Sequence, residues 1–288
     1  VAAHERDTSV WKRVGGLLRR LVHLGGPDLH VTTTALIAET AAPALTRVEE
    51  TLRDAATGDG RRARRQELRG VLFSLLGGAG EDPELRDRAR ELLADDAALA
   101  ALDASMRAAV VEVVAVTATE EEHRDLERRW REAPTPQDEL RYLHALADAP
   151  RPESFDRALE LAATEVRTQN APYVIRRAIT HPRLDGRAWE FVESRWDELV
   201  ERFPSNSLPR MLEGIRTICD RQTAAPADPA PRPAAQARVA RCCSRNRVCE
   251  RPEPPRTPTA RWCSGLSPCR PPPSSFDRRP GSRARTHR

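Results

Sequence analysis

The chain has 288 residues and a formal charge of +4, unevenly laid out: residues 221–288 hold 13 of the 24 prolines, five of the six cysteines, and 15 arginines against four acidic residues. That makes the tail +11 and leaves −7 for residues 1–220, so the basicity that would point to nucleic acid belongs to the tail alone. No run approaches the ~18 apolar residues a membrane helix needs, the N-terminus lacks the charged, apolar, small-residue order of a signal peptide, and a single body cysteine, Cys219, argues against a disulfide framework. A cytoplasmic protein is the expectation.

Taken in order, Val10 to Leu24 reads as an amphipathic helix despite Gly15 and Gly16, ended by Gly25-Gly26-Pro27. Thr32 to Thr40 and Pro43 to Ala56 read as a helix pair joined at Pro43, and residues 57–65 as a polar turn. Gln66 to Leu76 turns Leu68, Leu72, Leu75 and Leu76 inward until Gly77-Gly78 stops it. Asp82 caps a helix opened by Pro83, with Leu85, Ala89, Leu92 and Leu93 as its stripe. The run from Ser105 to Ala118 is so apolar that it must be buried nearly all round. Thr119 with Glu122 forms a capping box for a helix that ends near Glu132, with Trp130 on its apolar side.

Between Thr135 and Met211 the helix signals are sharpest. Thr135 caps a helix whose first residue is Pro136, with Leu140, Leu143, Leu146 and Ala147 to one side; Pro152 opens the next, lined by Phe155, Leu159 and Ala162. Asn170 stands as the cap of a helix carrying Pro172, Val174, Ile175 and Ile179. After Asp185-Gly186 one long helix places Trp189, Val192, Trp196, Leu199, Val200 and Phe203 at helical spacing, and another runs from Leu208 to Asp220.

No stretch alternates with a two-residue period. The fold expected is therefore all-α, a HEAT- or armadillo-like solenoid of antiparallel helix pairs over residues 1–220, followed by a disordered Pro/Arg-rich tail over 221–288. The tail reads as GC-rich DNA translated in a shifted frame. Lys12 is the only lysine, and that fits a coding bias better than a phosphate-binding surface.

The catalytic motifs fail on their own chemistry. His4-Glu5 would need a second histidine at position 8 to make the zinc signature H-E-x-x-H, and that position is Thr8. Cys242, Cys243, Cys249, Cys263 and Cys269 include no C-x-x-C spacing. No serine stands in a G-x-S-x-G turn, and His144 sits on a leucine-rich helix as a core or rim histidine. Nucleic acid is disfavoured as a partner because the tail's arginines lack an aromatic stacking series. One polar cluster stands apart: Arg167, Thr168, Gln169 and Asn170, between two apolar helices. These side chains either cap helix ends or contact peptide carbonyls or a carboxylate, for which arginine and glutamine are suited.

Three ordered blocks carry a resemblance: TPQDELRYLHALA from Thr135, ALELAATEVRTQNAP from Ala158, and GRAWEFVESRWDELVERFP from Gly186. Together with LVHLGGPDLH and LRGVLFSLLGGAGEDPELRDRARELLA earlier, the chain over roughly residues 8–220 resembles the C-terminal helical domain of aminopeptidase N type zinc metallopeptidases, shared with the endoplasmic-reticulum aminopeptidases. The resemblance implies a helical bowl that encloses the peptide chamber, with a catalytic domain and peptide substrate as partners. It places the zinc in that catalytic domain, so no cofactor is expected in this chain. Neither H-E-x-x-H nor the substrate motif G-A-M-E-N is present, so the chain is expected to be inactive alone, and a start at Val1 reads as a fragment. Arg167, Gln169 and Asn170 are the peptide-contact candidates. The family ends in a further helix pair, which here gives way to the tail, leaving the Leu208 to Asp220 helix with an expected uncovered face. The alternative is an independent helical-repeat scaffold that binds a peptide or protein partner.

Overall fold

A computed structural model describes residues 5–24, 26–54 and 61–217, all within the first of the two units into which the chain divides, Val1–Cys249 and Glu250–Arg288. The expectations for the proline-rich tail concern residues outside those described. In chain order the helices are α1 (Thr8–Leu24), α2 (Gly26–Asp54), α3 (Arg62–Gly77), α4 (Pro83–Ala94), α5 (Asp96–Ala101), α6 (Ala104–Ala115), α7 (Glu120–Arg131), α8 (Pro136–Leu146), α9 (Pro152–Thr164), α10 (Ala171–Ile179), α11 (Asp185–Ser194), α12 (Trp196–Arg202) and α13 (Leu208–Met211), then a 3-10 helix, Leu212–Thr217. No strand occurs among the described residues. The body is all-α.

Capping chemistry sets many of the starts. The Asp82 carboxylate accepts from the Leu85 N–H, Asp103 from Met106, and Thr135 from Asp138, each filling one orphan donor of a first turn. At α7 the box is complete: the Glu122 N–H donates to the Thr119 hydroxyl, and the Glu122 carboxylate accepts the Thr119 N–H.

Side-chain pairing shows how the helices stack. Lys12 meets Glu67 and Arg19 meets Ser74, so α1 and α3 run parallel; Arg62 reaches the Leu52 carbonyl while Gly80 lies against Ile37, so α2 runs antiparallel to α3. The same parallel order continues from α3 through α6, α8 and α10 to α13. Gly70 lies on Ser105, Gly77 on Val113, Glu139 on Arg167, Asp148 on Arg177, and Tyr173 on Arg210. A second set, α2, α4, α7, α9 and α11–α12, packs behind with its own parallel order, marked by Arg90 to Glu122, Arg157 to Glu127, and Arg187 to Asp156. Two glycines permit the closest approach in the first set. A Cβ at Gly70 would fall 2.8 Å from the Ser105 carbonyl oxygen, and one at Gly77 would fall 2.9 Å from both Val113 methyls.

Two hydrophobic cores result. Trp11, Leu18, Ile37, Leu45, Leu72 and Leu75 make the first, within α1–α3; the second runs from Phe73 through the Val110–Val114 run, Phe155 and Ile175 to Leu212. Helix α3 is the wall between them, since Leu72 faces one core and Phe73 the other. As the sequence requires, α6 is buried nearly all round.

Several sequence expectations need correction. Pro43 does not divide α2 into a helix pair: the helix runs unbroken through it. The buried stripe Ile37, Ala41, Ala44, Val48 and Leu52 crosses Pro43 in register, and its burial outweighs one lost backbone bond. Residues 62–65, read as turn, already belong to α3. The long helix after Asp185 breaks at Arg195, whose φ of −113° and ψ of 19° leave the helical region. Arg195 is held there by Glu198 and by Glu160 of α9, and Val200 is left exposed while Trp189 is only half-buried. The helix from Leu208 is α-helical for four residues before tightening to 3-10 geometry. Its apolar side is covered: Leu208, Met211 and Leu212 are buried, and Gly214 lies against Ile179 of α10.

Candidate functional site

The polar joint between α9 and α10 has the geometry of an open site. The α9 helix ends at Thr164, where the Glu165 and Val166 N–H groups both donate to the Leu161 carbonyl, and Val166 is then buried. The next residues turn outward. Arg167, Thr168 and Gln169 are exposed and Asn170 is half-buried. Asn170 stands at the N-cap position of α10, but with φ −99° and ψ −36° its side chain accepts no backbone bond, contrary to the cap read from the sequence. The backbone closes the turn instead: the Asn170 and Ala171 N–H groups donate to the Arg167 carbonyl, and Tyr173 and Val174 donate to Asn170. Pro172 has no N–H to satisfy. The Thr168, Gln169 and Asn170 side chains therefore make no hydrogen bond with the described residues.

Neighbouring helices bring further groups that the sequence did not flag. Glu139 of α8 lies 3.6 Å from the Arg167 guanidinium, whose side chain is 66% exposed, and Arg210 of α13 donates to the Tyr173 hydroxyl at 2.9 Å. Deeper on α8, Arg141 pairs with Asp138, which is held below the usual carboxylate range by the Thr135 hydroxyl and then by Arg141. The joint thus offers one loosely held guanidinium, two free amides and the positive end of a nine-residue helix. This set can accept a carboxylate or peptide carbonyls.

At the opposite end of the same parallel helices the polar groups saturate one another. Arg19 of α1 donates to Ser74 of α3 at 2.7 Å and to Glu112 of α6 at 3.3 Å, while Arg177 of α10 grips Asp148 with two bonds of 2.7 and 2.5 Å. His23 Nδ1 lies 2.7 Å from the Pro182 carbonyl, so it carries the hydrogen, and Nε2 is 3.8 Å from Asp185. His181 is buried edge-on to Phe155, its Nδ1 accepting from the Arg183 and Leu184 N–H groups. Burial, helped by Arg183, pushes its pKa down to about 4. His144, the sequence's rim histidine, is half-buried and also lowered, by burial and then by Arg177. The ion pairs form an internal brace, with His144 beside them making no hydrogen bond to a described residue.

A third polar feature is a groove of about 590 Å³ between α7 and α9, floored by His123 and Ser154. His123 contacts the Leu146 carbonyl at 3.4 Å and is lowered by burial. Along the wall Glu127 binds both Arg157 and Arg131, and Arg131 also binds Glu165. Burial would raise Glu127, yet those two arginines hold it low. The groove is neutralised from within.

Among the described residues no three His, Cys, Asp or Glu side chains gather so as to hold a metal ion, and no helix is long and apolar enough to cross a membrane. The inter-helix ion pairs do follow a rule that the letters hide: from α3 onward, partners in one layer lie about 28 to 37 residues apart, one helix pair along the chain. A search for Arg and Asp/Glu at that separation would have found them. Residues 1–227 match the family model described as the ERAP1-like C-terminal domain, and no curated protein matches the chain.

Proposed function

Because the chain belongs to the family of ERAP1-like C-terminal domains, we propose that it is the aminopeptidase domain that closes over the peptide chamber and limits which substrates enter. In this reading the parallel helices α3, α6, α8 and α10 form the inner layer of a HEAT-like bowl. The zinc, the water it activates and the groups that cleave the peptide belong to the catalytic domain, and this chain supplies none of them. Its role is to hold the far end of the substrate.

The observation that carries the reading is the state of the joint. Thr168, Gln169 and Asn170 are not consumed in capping, and Arg167 has only a long contact to Glu139. A guanidinium can hold a peptide carboxylate through two parallel charge-assisted bonds, a geometry lysine cannot reproduce. The amides of Gln169 and Asn170 then pair with carbonyls or N–H groups of the last peptide units.

The test is a fusion of this chain to an aminopeptidase catalytic region, carrying Arg167→Ala and Gln169→Ala. Loss of a charge-assisted bond of about 1.5–3 kcal/mol corresponds to a rise in KM of roughly ten- to a hundredfold for longer peptides. A small chromogenic amide, which never reaches the joint, should be hydrolysed as before. Equal losses on both substrates, with a lower melting temperature, would make these residues structural.

A further inference from the structure

The groove between α7 and α9 has charged walls that are satisfied and a polar floor that is not. In their layer α7 is flanked by α4, through Arg90, and α9 by α11, through Arg187, so the groove lies inside the layer rather than at its edge. On its floor His123 and Ser154 are only 3% and 6% exposed. His123 Nε2 faces the Leu146 carbonyl at 3.4 Å and so carries the hydrogen, which leaves Nδ1 as an acceptor, and burial keeps the ring in that neutral form. Neither Nδ1 nor the Ser154 hydroxyl has a hydrogen-bond partner among the described residues, and neither is sealed from solvent as the Nε atoms of Arg69 and Arg107 are. Both therefore open on the groove. Helix α9 adds two donors. Arg151 at its N-cap gives no side-chain bond, Pro152 has no N–H, and the Phe155 N–H is the first to reach a backbone acceptor, the Arg151 carbonyl. The N–H groups of Glu153 and Ser154, both lining the groove, are left over.

The charges around these groups choose what they hold. Four glutamates and four arginines line the groove, and each of those arginines already has a carboxylate at 3.6 Å or less. No cation lining the groove is free to fix an anion, and Glu153, which has no ion pair with a described residue, repels one at the α9 end. The unmet groups are neutral, with donors at one end and an acceptor on the floor. That is the complement of a peptide main chain: a carbonyl oxygen takes the Glu153 and Ser154 N–H groups and the Ser154 hydroxyl, and an amide N–H donates to His123 Nδ1. The space has the matching form. The groove, of about 590 Å³, shares Glu120, Glu153 and Ser154 with a second hollow of about 450 Å³ beside Pro150 and Pro152, a path for an extended chain rather than a compact ligand. We propose that the α7–α9 groove is a second binding site, for an extended peptide segment without net charge that is gripped through its main-chain amides. It lies on the other layer from the α8–α10 joint and requires neither a free carboxylate nor a free amine.

The probe is acetyl-tetraalanine amide, which has no charged terminus and so offers nothing to Arg167 at the joint and no N-terminal amine to an aminopeptidase. Added to the full chain with its histidines labelled for nitrogen magnetic resonance, it should shift the His123 Nδ1 signal saturably and leave those of His144 and His181 in place. The same peptide with its amides N-methylated cannot donate to Nδ1 and should bind about tenfold more weakly, the equivalent of one hydrogen bond. Ser154→Ala should weaken binding several-fold and Arg167→Ala should leave it unchanged, with far-ultraviolet dichroism of both variants like that of the parent. Equal binding of the methylated peptide, or a His123 signal that stays fixed up to the solubility limit of the probe, would overturn the proposal. So would binding that Ser154→Ala leaves intact or Arg167→Ala removes, or displacement of the peptide by acetate or inorganic phosphate at equal ionic strength, which would make the groove an anion site.

Discussion

At His181 burial and hydrogen bonding favour the same protonation state. Nδ1 accepts two backbone N–H groups, so the ring is neutral with its proton on Nε2, and its pKa sits at about 4 against an ordinary value near 6.5. The folded value lies below the unfolded one, so the unfolded chain takes up the proton first as pH falls. Stability held above pH 6.5 is lost between 6.5 and about 4, by an amount on the order of 3 kcal/mol, and the contribution is flat below that. His123 and His144 are lowered too and act in the same sense. Glu122, Asp125, Glu127 and Asp138, held below their ordinary values, add their losses at more acid pH. His181→Asn keeps an acceptor for the two N–H groups and has no proton to gain, so the fall in urea midpoint between pH 7 and pH 4.5 should shrink by a large fraction. An unchanged fall would assign the titration to other groups. Single residues were legible where their chemistry is local. Thr119 with Glu122 and Asp82 with Leu85 act within one turn, and the structure places them as the sequence predicts. Asn170 was misread because its backbone lies in the helical region, where the side chain cannot swing back to the first turn.

For the elements, apolar periodicity decided more than helix breakers did. The α2 helix survives Pro43 because one buried stripe runs through it, and Pro43 itself is exposed. Pro43→Ala restores a backbone donor and removes a ring that crowds the preceding turn, so it should stabilise the chain by about 1–3 kcal/mol, visible as a higher urea midpoint. A loss instead would mean that the helix is shaped around the proline. Within α12 the buried face is narrow. Trp196 is 4% exposed and belongs to the second core, whereas Val200 is 40% exposed. Trp196→Ala should cost roughly 3–5 kcal/mol and Val200→Ala less than about 0.5 kcal/mol by thermal unfolding. Similar costs at the two sites would contradict this packing. The sequence placed both on one stripe because apolar spacing alone cannot show how wide the buried face is: Leu199 lies within it and Val200 at its edge.

For the molecule as a whole, α3 is the element on which both cores depend. Gly77→Ala places a methyl group 2.9 Å from both Val113 methyls, so α3 and α6 must separate slightly. That should lower stability by about 1–3 kcal/mol and make denaturant unfolding less cooperative, because the wall joining the two cores has been loosened. A parent-like transition would show that the contact yields without cost. The sequence by itself determined that the described body is all-α, where most helices start and which face of each is apolar. Those properties depend on a residue and its neighbours three or four positions away. Only the tertiary structure decided that Arg19, Glu112, Asp148 and Arg177 converge on one brace, that Glu139 and Arg210 flank the α10 joint, and that Trp196 is buried while Val200 is exposed. Each of these depends on which helix lies beside which, and that is set by the fit of whole faces, such as Gly70 and Gly77 of α3 against α6, rather than by any local spacing.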